Sequence, residues 1–226
     1  MQVSSPITER LKTFIGEKYP GVNVDLPKEN VALNTGVLML MNQPSNSTIK
    51  SDEITPHNPG ITAHFVRCHF LEKGFWHTTV NATPLTESEA RKFGEKELKG
   101  IEIEHTLIVL RILMIHLRVI LVMGKKARGK WEDFKKHPDV ENLLNYISPK
   151  VVYMSLSFRH MDRTNVLREK GVNSYDLLSA HFYYTRRKCI KYLKKDKGLK
   201  DENDFSVVDN KMLKKLVKIV NNKFKK

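Results

Sequence analysis

Apolar and polar positions alternate in blocks along this chain, and the blocks predict strands separated by helices. Val37 to Met41 is an unbroken apolar run of strand length, the pattern of a strand covered on both faces of a parallel sheet. Phe75 to Ala82 (FWHTTVNA) is rich in aromatic and β-branched residues and predicts a second strand ending at Asn81. Val119 to Met123 predicts a third, stopped by Gly124 and a basic loop, KKARGK, and Lys150 to Leu156 predicts a fourth. Ser5-Pro6 caps and opens a short first helix that ends at Gly16 or at Pro20-Gly21. Thr86 and Glu89 form a capping box for a helix reaching toward His116, with breaks at Gly94 or Gly100. Trp131 to Tyr146 reads as helix interrupted at His137-Pro138. Ile61 to Leu71 reads equally as helix or as extended chain.

Strands alternating with helices predict an α/β protein: a three-layer α/β/α domain around a central, mostly parallel four-stranded sheet. We assign residues 1–175 to that domain. Residues 176–226 are expected to be a basic helical C-terminal extension packed on it, because Ser174 to Lys195 and Val207 to Phe224 both carry helical patterns. In the second of these, Met212, Leu213, Leu216, Val217 and Val220 share one face opposite lysines.

Composition adds a partner. The 226 residues carry a formal charge of +14, and the pI is about 9.7, values that favour a polyanion. From Arg186 onward there are 15 Lys or Arg against five Asp or Glu, a net of +10. Two cysteines exclude a disulfide scaffold or a four-cysteine zinc site and fit a reducing compartment. No secretory signal opens the sequence. The greasiest stretch, Thr106 to Met123, is interrupted by Arg111, His116 and Arg118 and predicts a core helix running into a strand, with no membrane span. The histidines show no metal-site spacing, so no metal or other cofactor is expected.

In an open α/β sheet, ligands bind beyond the carboxyl ends of the strands. The predicted strands deliver Asn42-Gln43-Pro44-Ser45, then Asn81, then Gly124 with its lysines, then Ser157, Arg159 and His160 to that edge. The Asn, Pro and Ser residues of the first loop are also common turn residues, and Asn81 reads equally as a strand-end turn residue.

This arrangement resembles the uracil-DNA glycosylase superfamily, of which the chain would be a divergent member. In that family the first strand ends in a loop with a polar catalytic residue before a proline, here Asn42-Gln43-Pro44-Ser45. In one branch the second strand ends in an asparagine that reads the flipped base, a position that Asn81 in VNATPLT matches. LRVILVMGKKA (117–127) is similar to the family's third strand and glycine, and RHMDRTNVLREKG (159–171) to the segment after its last motif. Two departures stand out. The family's Asp, Asn or Glu near the proline is replaced by the pair Asn42 and Gln43, and its histidine motif is replaced by Met154-Ser155-Leu156-Ser157, leaving His160 offset.

The resemblance implies a DNA glycosylase that hydrolyses the N-glycosidic bond of a flipped uracil-like or modified pyrimidine, a modified phage base being one candidate, and leaves an abasic site. It would serve DNA repair or phage defence. Asn42, Gln43, Asp52 and His160 are the candidate catalytic residues. Asn81, Pro44, Ser45 and Phe70 are candidates to hold the base. Lys125, Lys126, Arg128, Arg159, Arg163, Arg186 and Arg187 are candidates to hold DNA, single- or double-stranded. The expected protein is a monomer, cytoplasmic or nucleoid-associated, or nuclear if its source is a eukaryote. A non-catalytic nucleic-acid-binding module that retains the fold is the alternative. A phosphate-processing enzyme lacks support, because no GxxxxGK[ST] or GxGxxG loop is present.

Overall fold

A computed structural model describes residues 5–26, 35–42, 61–154, 174–193 and 209–223. Its centre is a four-stranded, all-parallel sheet made of β1 (Val37–Met41), β2 (Thr78–Asn81), β3 (Val119–Met123) and β4 (Lys150–Met154), in the order β2-β1-β3-β4. The helices are α1 (Pro6–Lys18), α2 (Ile61–His69), α3 (Glu87–Ala90), α4 (Glu95–Leu113), α5 (Lys125–Phe134), α6 (Pro138–Ile147), α7 (Ser174–Leu193) and α8 (Asn210–Lys223).

Side-chain alternation divides the apolar runs between two cores. Val37, Met39, Val119, Leu121, Met123, Val152 and Met154 face a core completed by α2, α7 and α8. Leu38, Leu40, Val80, Ile120 and Val122 face the other, completed by α1, α4, α5 and α6. Both faces are therefore dry, and the chain is a three-layer α/β/α fold.

Topology explains which helix lies where. The chain steps from β1 to β2 through α2, then reverses past β1 to β3 through α3 and α4, and continues to β4 through α5 and α6. A right-handed crossover changes faces when the direction of travel along the sheet changes. One connection accordingly covers the first face and two cover the second. The first face is left short of cover over β3 and β4. The carboxy-terminal helices fill that deficit, with Leu177, Ala180, Phe182, Cys189 and Ile190 of α7 and Leu213 and Leu216 of α8 all buried there. The expected extension is thus a working part of the helical layer on the first face.

Local signals hold at several ends. The Ser5 hydroxyl accepts a hydrogen bond from the Ile7 amide and Pro6 begins α1, which runs through Gly16 and stops at Lys18, ahead of Pro20. Thr86 caps α3 by accepting from the Glu89 amide. That helix is only one turn. The chain breaks at Gly94, whose amide donates to the Glu97 carboxylate 2.9 Å away, and α4 begins afresh. The segment left open between helix and extended chain is helical, as α2. Lys125 to Lys130, expected as a loop, is instead the opening of α5, because Ala127, Trp131 and Phe134 supply a buried stripe at helical spacing. Among the described residues no helix is long and apolar enough to cross a membrane.

Gly36 is the tightest backbone position at the sheet's amino edge. Its φ is +71°, and a Cβ there would stand 3.1 Å from the His116 carbonyl oxygen and 3.4 Å from Leu193 Cδ2. Its own carbonyl accepts the amides of Arg118 and Val119, aligning β1 with β3. Gly36→Ala is expected to lower stability by at least roughly 1–2 kcal/mol, the cost of the left-handed conformation alone, measured by urea denaturation.

Two histidines give the fold an acid limit. Burial lowers the His77 pKa, partly offset by its hydrogen bond with the Phe75 carbonyl, and burial pushes His181 down to about 4. Since the unfolded chain binds these protons more readily, stability is full above about pH 6.5 and falls as pH drops toward 4. Thermal melts across that window are expected to show a shallower acid loss for His77→Phe than for the parent chain.

Candidate functional site at the carboxyl edge

The carboxyl ends of β1 and β3 lie side by side, and the connections that leave them go to opposite faces of the sheet. This is the switch point at which open α/β sheets form a crevice. β2 flanks β1 on the other side. Met41 is in register with Asn81, and pairing continues beyond both strands: the Ala82 amide donates to the Met41 carbonyl (2.7 Å) and the Thr83 amide to the Asn42 carbonyl (2.8 Å). Asn42 and Asn81 therefore leave adjacent strands at the same edge but one residue out of register, so by the alternation that turns Met41 and Val80 toward opposite cores their side chains start toward opposite faces of the sheet. The Asn42 Oδ1 is buried and has no hydrogen-bond partner among the described residues. A buried amide oxygen left without a donor costs on the order of 1–3 kcal/mol, and such an orphan, which Thr8 Oγ1 and Ser179 Oγ also present among the described residues, calls for an explanation in strain, in function or in a bound water.

β3 brings a different resource to the same edge. Gly124, at φ +91°, turns the chain directly into α5, so the amino end of that helix opens at the crevice with Lys125 and Lys126 exposed. Free amides, helix dipole and two ammonium groups together favour an anion there. The Gly124 amide also donates to the Met154 carbonyl at 2.7 Å, so the β3 and β4 exits are held together as well. Arg128 lies farther along α5, its guanidinium 4.7 Å from the centre of the Tyr153 ring. The Tyr153 hydroxyl donates to Glu132 at 2.6 Å. Burial, then that carboxylate, push the Tyr153 pKa up to about 12.

Sequence reasoning missed the charged cluster that braces this edge. Thr83, immediately beyond β2, donates its hydroxyl hydrogen to Glu102 of α4, and Lys130 of α5 reaches both Thr83 Oγ1 and Glu102 Oε1. The Glu102 side chain is 8% exposed and that of Lys130 32%. Glu102 falls on the apolar stripe of α4, between Ile101 and His105, which are both buried. A lone acid on an apolar helix face was the available signal. What it pairs with is decided only by the crossing of α4 and α5.

Other expected site residues are placed elsewhere. Phe70 has none of its surface exposed and packs against Phe75 and Phe182, at the end of α2 that leads back to the start of β2. A ring so enclosed stacks on protein, so its expected role against a base is corrected. Arg186 is 2% exposed and donates to the His69 carbonyl at 2.6 Å. It ties α7 to α2 and is corrected from a DNA contact to an internal one. Arg187 is exposed on α7, beside Tyr183. Gln43, Pro44, Ser45, Asp52, Arg159, His160 and Arg163 lie outside the described residues. Among the described residues no three His, Cys, Asp or Glu side chains are grouped to hold a metal ion.

A scan against protein-family models finds no match for this chain, and a search of curated proteins finds none either.

Lys130→Met strands a buried carboxylate and is expected to cost on the order of 3 kcal/mol, the low end for a buried pair because Lys130 is partly solvated. Adding Glu102→Leu is expected to restore most of that loss in the same denaturation assay, a coupling that independent sites would not show.

Proposed function

We propose that the chain is a DNA glycosylase acting on a flipped uracil-like or modified pyrimidine, with its site at the carboxyl edge around Asn42 and Asn81. The observation that carries the reading is the orphaned Asn42 Oδ1, buried at a switch point beside the exit of Asn81 and an anion-favouring helix end. The four-stranded parallel sheet and the resemblance of the strand-exit motifs support it.

The chemistry asks little beyond these groups. Unstacking a base costs a few kcal/mol, repaid by a pocket that bonds its edge. The amide of Asn81 offers one donor pair and one acceptor, suited to a pyrimidine's mixed edge. Once the edge opens to admit the substrate, the Asn42 oxygen, enclosed in the free protein, accepts a hydrogen bond from a water molecule and aims it at the sugar C1′. As the C1′–N bond breaks, its electron pair leaves with the base, the water oxygen bonds C1′, and the water's proton is released as the base takes one up. The amino end of α5 and Lys125 and Lys126 contribute positive potential, favourable both to backbone phosphates and to the departing base anion. Asp52 and His160 are candidates for the general base and for the stabiliser of the leaving base. DNA is the proposed partner, and the net charge of +14 supports long-range attraction to it.

The test is release of a base from duplexes carrying uracil, mismatched thymine, or hydroxymethylated or glucosylated pyrimidines, read as strand breaks after mild alkali. Breaks on one substrate are expected, falling about 10²-fold or more in Asn81→Ala and in Asn42→Ala. Asn42→Ala is expected to melt no lower than the parent chain, since the lost oxygen has no partner among the described residues. No breaks on any substrate, with DNA binding intact, would move the assignment to a binding module that retains the fold.

A further inference from the structure

A second feature lies away from the carboxyl edge. Residues of α7, α8 and the outer strand β4 line a groove of about 880 Å³. Leu193, at the end of α7, packs beside Gly36 at the start of β1, so α7 runs antiparallel to the strands. The groove residues in its second half therefore point toward the amino edge, away from Asn42 and Asn81.

The groove has two kinds of wall. Its rim is cationic: Arg187, Lys188 and Lys191 come from α7, and Lys214 and Lys218 from α8. Lys188 and Lys191 are three residues apart and Lys214 and Lys218 four, so each pair occupies one helix face and the two rows flank one channel. No described carboxylate lines the groove, and none forms an ion pair with any of these four lysines. Its floor is the half-buried ring of Tyr184 together with the edges of Val152, Ile190 and Leu213, whose side chains are otherwise enclosed in the core. His181 also lines it, and its Nδ1 is buried without a hydrogen-bond partner among the described residues.

Cations of the described residues gathered on both sides of an apolar channel make the potential within it positive and favour a polyanion there. A ligand that matches the whole arrangement needs anions spaced along its length and flat apolar groups between them. A single nucleic-acid strand has that form: its phosphates follow a cationic rim while its bases lie on aromatic and aliphatic surface. A duplex presents phosphates on a wide convex face with its bases stacked inside, so it reaches the rim and leaves the floor uncovered.

We propose that the groove between α7, α8 and β4 binds a single-stranded segment of nucleic acid. It shares with the reading above only the premise that the partner is nucleic acid. It gives the protein a second hold on that partner, separate from the carboxyl edge.

The experiment uses the full chain and the fluorescence anisotropy of labelled 12-residue oligothymidylate, oligouridylate and a duplex of equal length, over a series of salt concentrations. Single strands are expected to bind more tightly than the duplex. Lys188→Glu with Lys191→Glu, and Lys214→Glu with Lys218→Glu, are each expected to weaken single-strand binding at least tenfold. Each pair is also expected to reduce the slope of log affinity against log salt by about 1.4, roughly 0.7 per phosphate contact removed. Lys96→Glu with Lys99→Glu makes the same charge change on exposed positions of α4 and is expected to weaken binding less than threefold. Melting curves check that each variant folds.

Groove variants that lose no more affinity than the α4 control would overturn the proposal. So would displacement of the oligonucleotide by polyglutamate of equal charge, which would assign the groove to an acidic peptide. Binding to phosphatidylserine vesicles that is lost in the same variants would assign it to a membrane surface. Because binding is scored without base release, failure of the groove and failure of the glycosylase reading give different results. The first leaves Asn81-dependent strand breaks in place, and the second leaves groove-dependent anisotropy in place.

Discussion

An all-parallel sheet must be covered on both faces, and that constraint governs this structure. Strands such as Val37–Met41 and Val119–Met123 have apolar side chains on both sides, so either face left open would expose a continuous apolar surface to water. The order β2-β1-β3-β4 makes the covering unequal. Reversal after β2 sends one crossover to one face and two to the other. The chain completes the poorer face with α7 and α8, which explains why a lysine-rich terminal segment also carries Phe182, Cys189 and Leu213 into the core. The strongly basic region and the second core layer are the same helices, viewed from their two sides.

The reversal also makes the crevice. At the carboxyl ends of β1 and β3 the chain departs in opposite directions, the arrangement that forms a crevice in open sheets of this class. The groups delivered there differ in kind. β1 and β2 end in amides, which read hydrogen-bonding patterns, whereas β3 ends in a glycine and a helix opening, which favour negative charge. An amide oxygen buried without a donor is stable only because the surrounding sheet fixes it. The continued pairing of Thr83 with the Asn42 carbonyl, and the grip of Glu102 and Lys130 on Thr83, supply that rigidity. The proposed chemistry needs the same rigidity, since an amide can direct a water molecule only if the amide itself does not move.

The buried Glu102–Lys130 pair shows why polar residues in a helix stripe are hard to interpret one at a time. Desolvating both charges costs several kcal/mol, and their attraction returns that only when the geometry is good. An apolar pair of the same volume would serve stability as well. What an apolar pair would not do is fix Thr83, and through it the exit of β2, at one position relative to β1.

Much of this fold is written in local pattern. Unbroken apolar runs of about five residues bounded by turn residues point to strands buried on both faces, and the caps at Ser5 and Thr86 act within three residues, so short-range pattern and local chemistry determine them. The three-layer class and the delivery of Asn42 and Asn81 to one edge follow from the same reasoning. Partnerships between distant segments do not. Lys125 to Lys130 is as polar as a loop, and only the docking of Ala127 and Trp131 against the sheet makes it helical. Phe70 and Arg186 have the residue types of a binding surface, yet both are enclosed, because the packing of α2 against α7 leaves no solvent around them. The meeting of Glu102 with Lys130, 28 positions apart, and of α7 with α8 around a groove likewise depends on how helices cross. The sequence by itself determined the elements and the edge on which their polar ends gather, since those depend on neighbours along the chain. Tertiary structure alone decided which charges are paired, buried or facing one another, since those depend on distance in space.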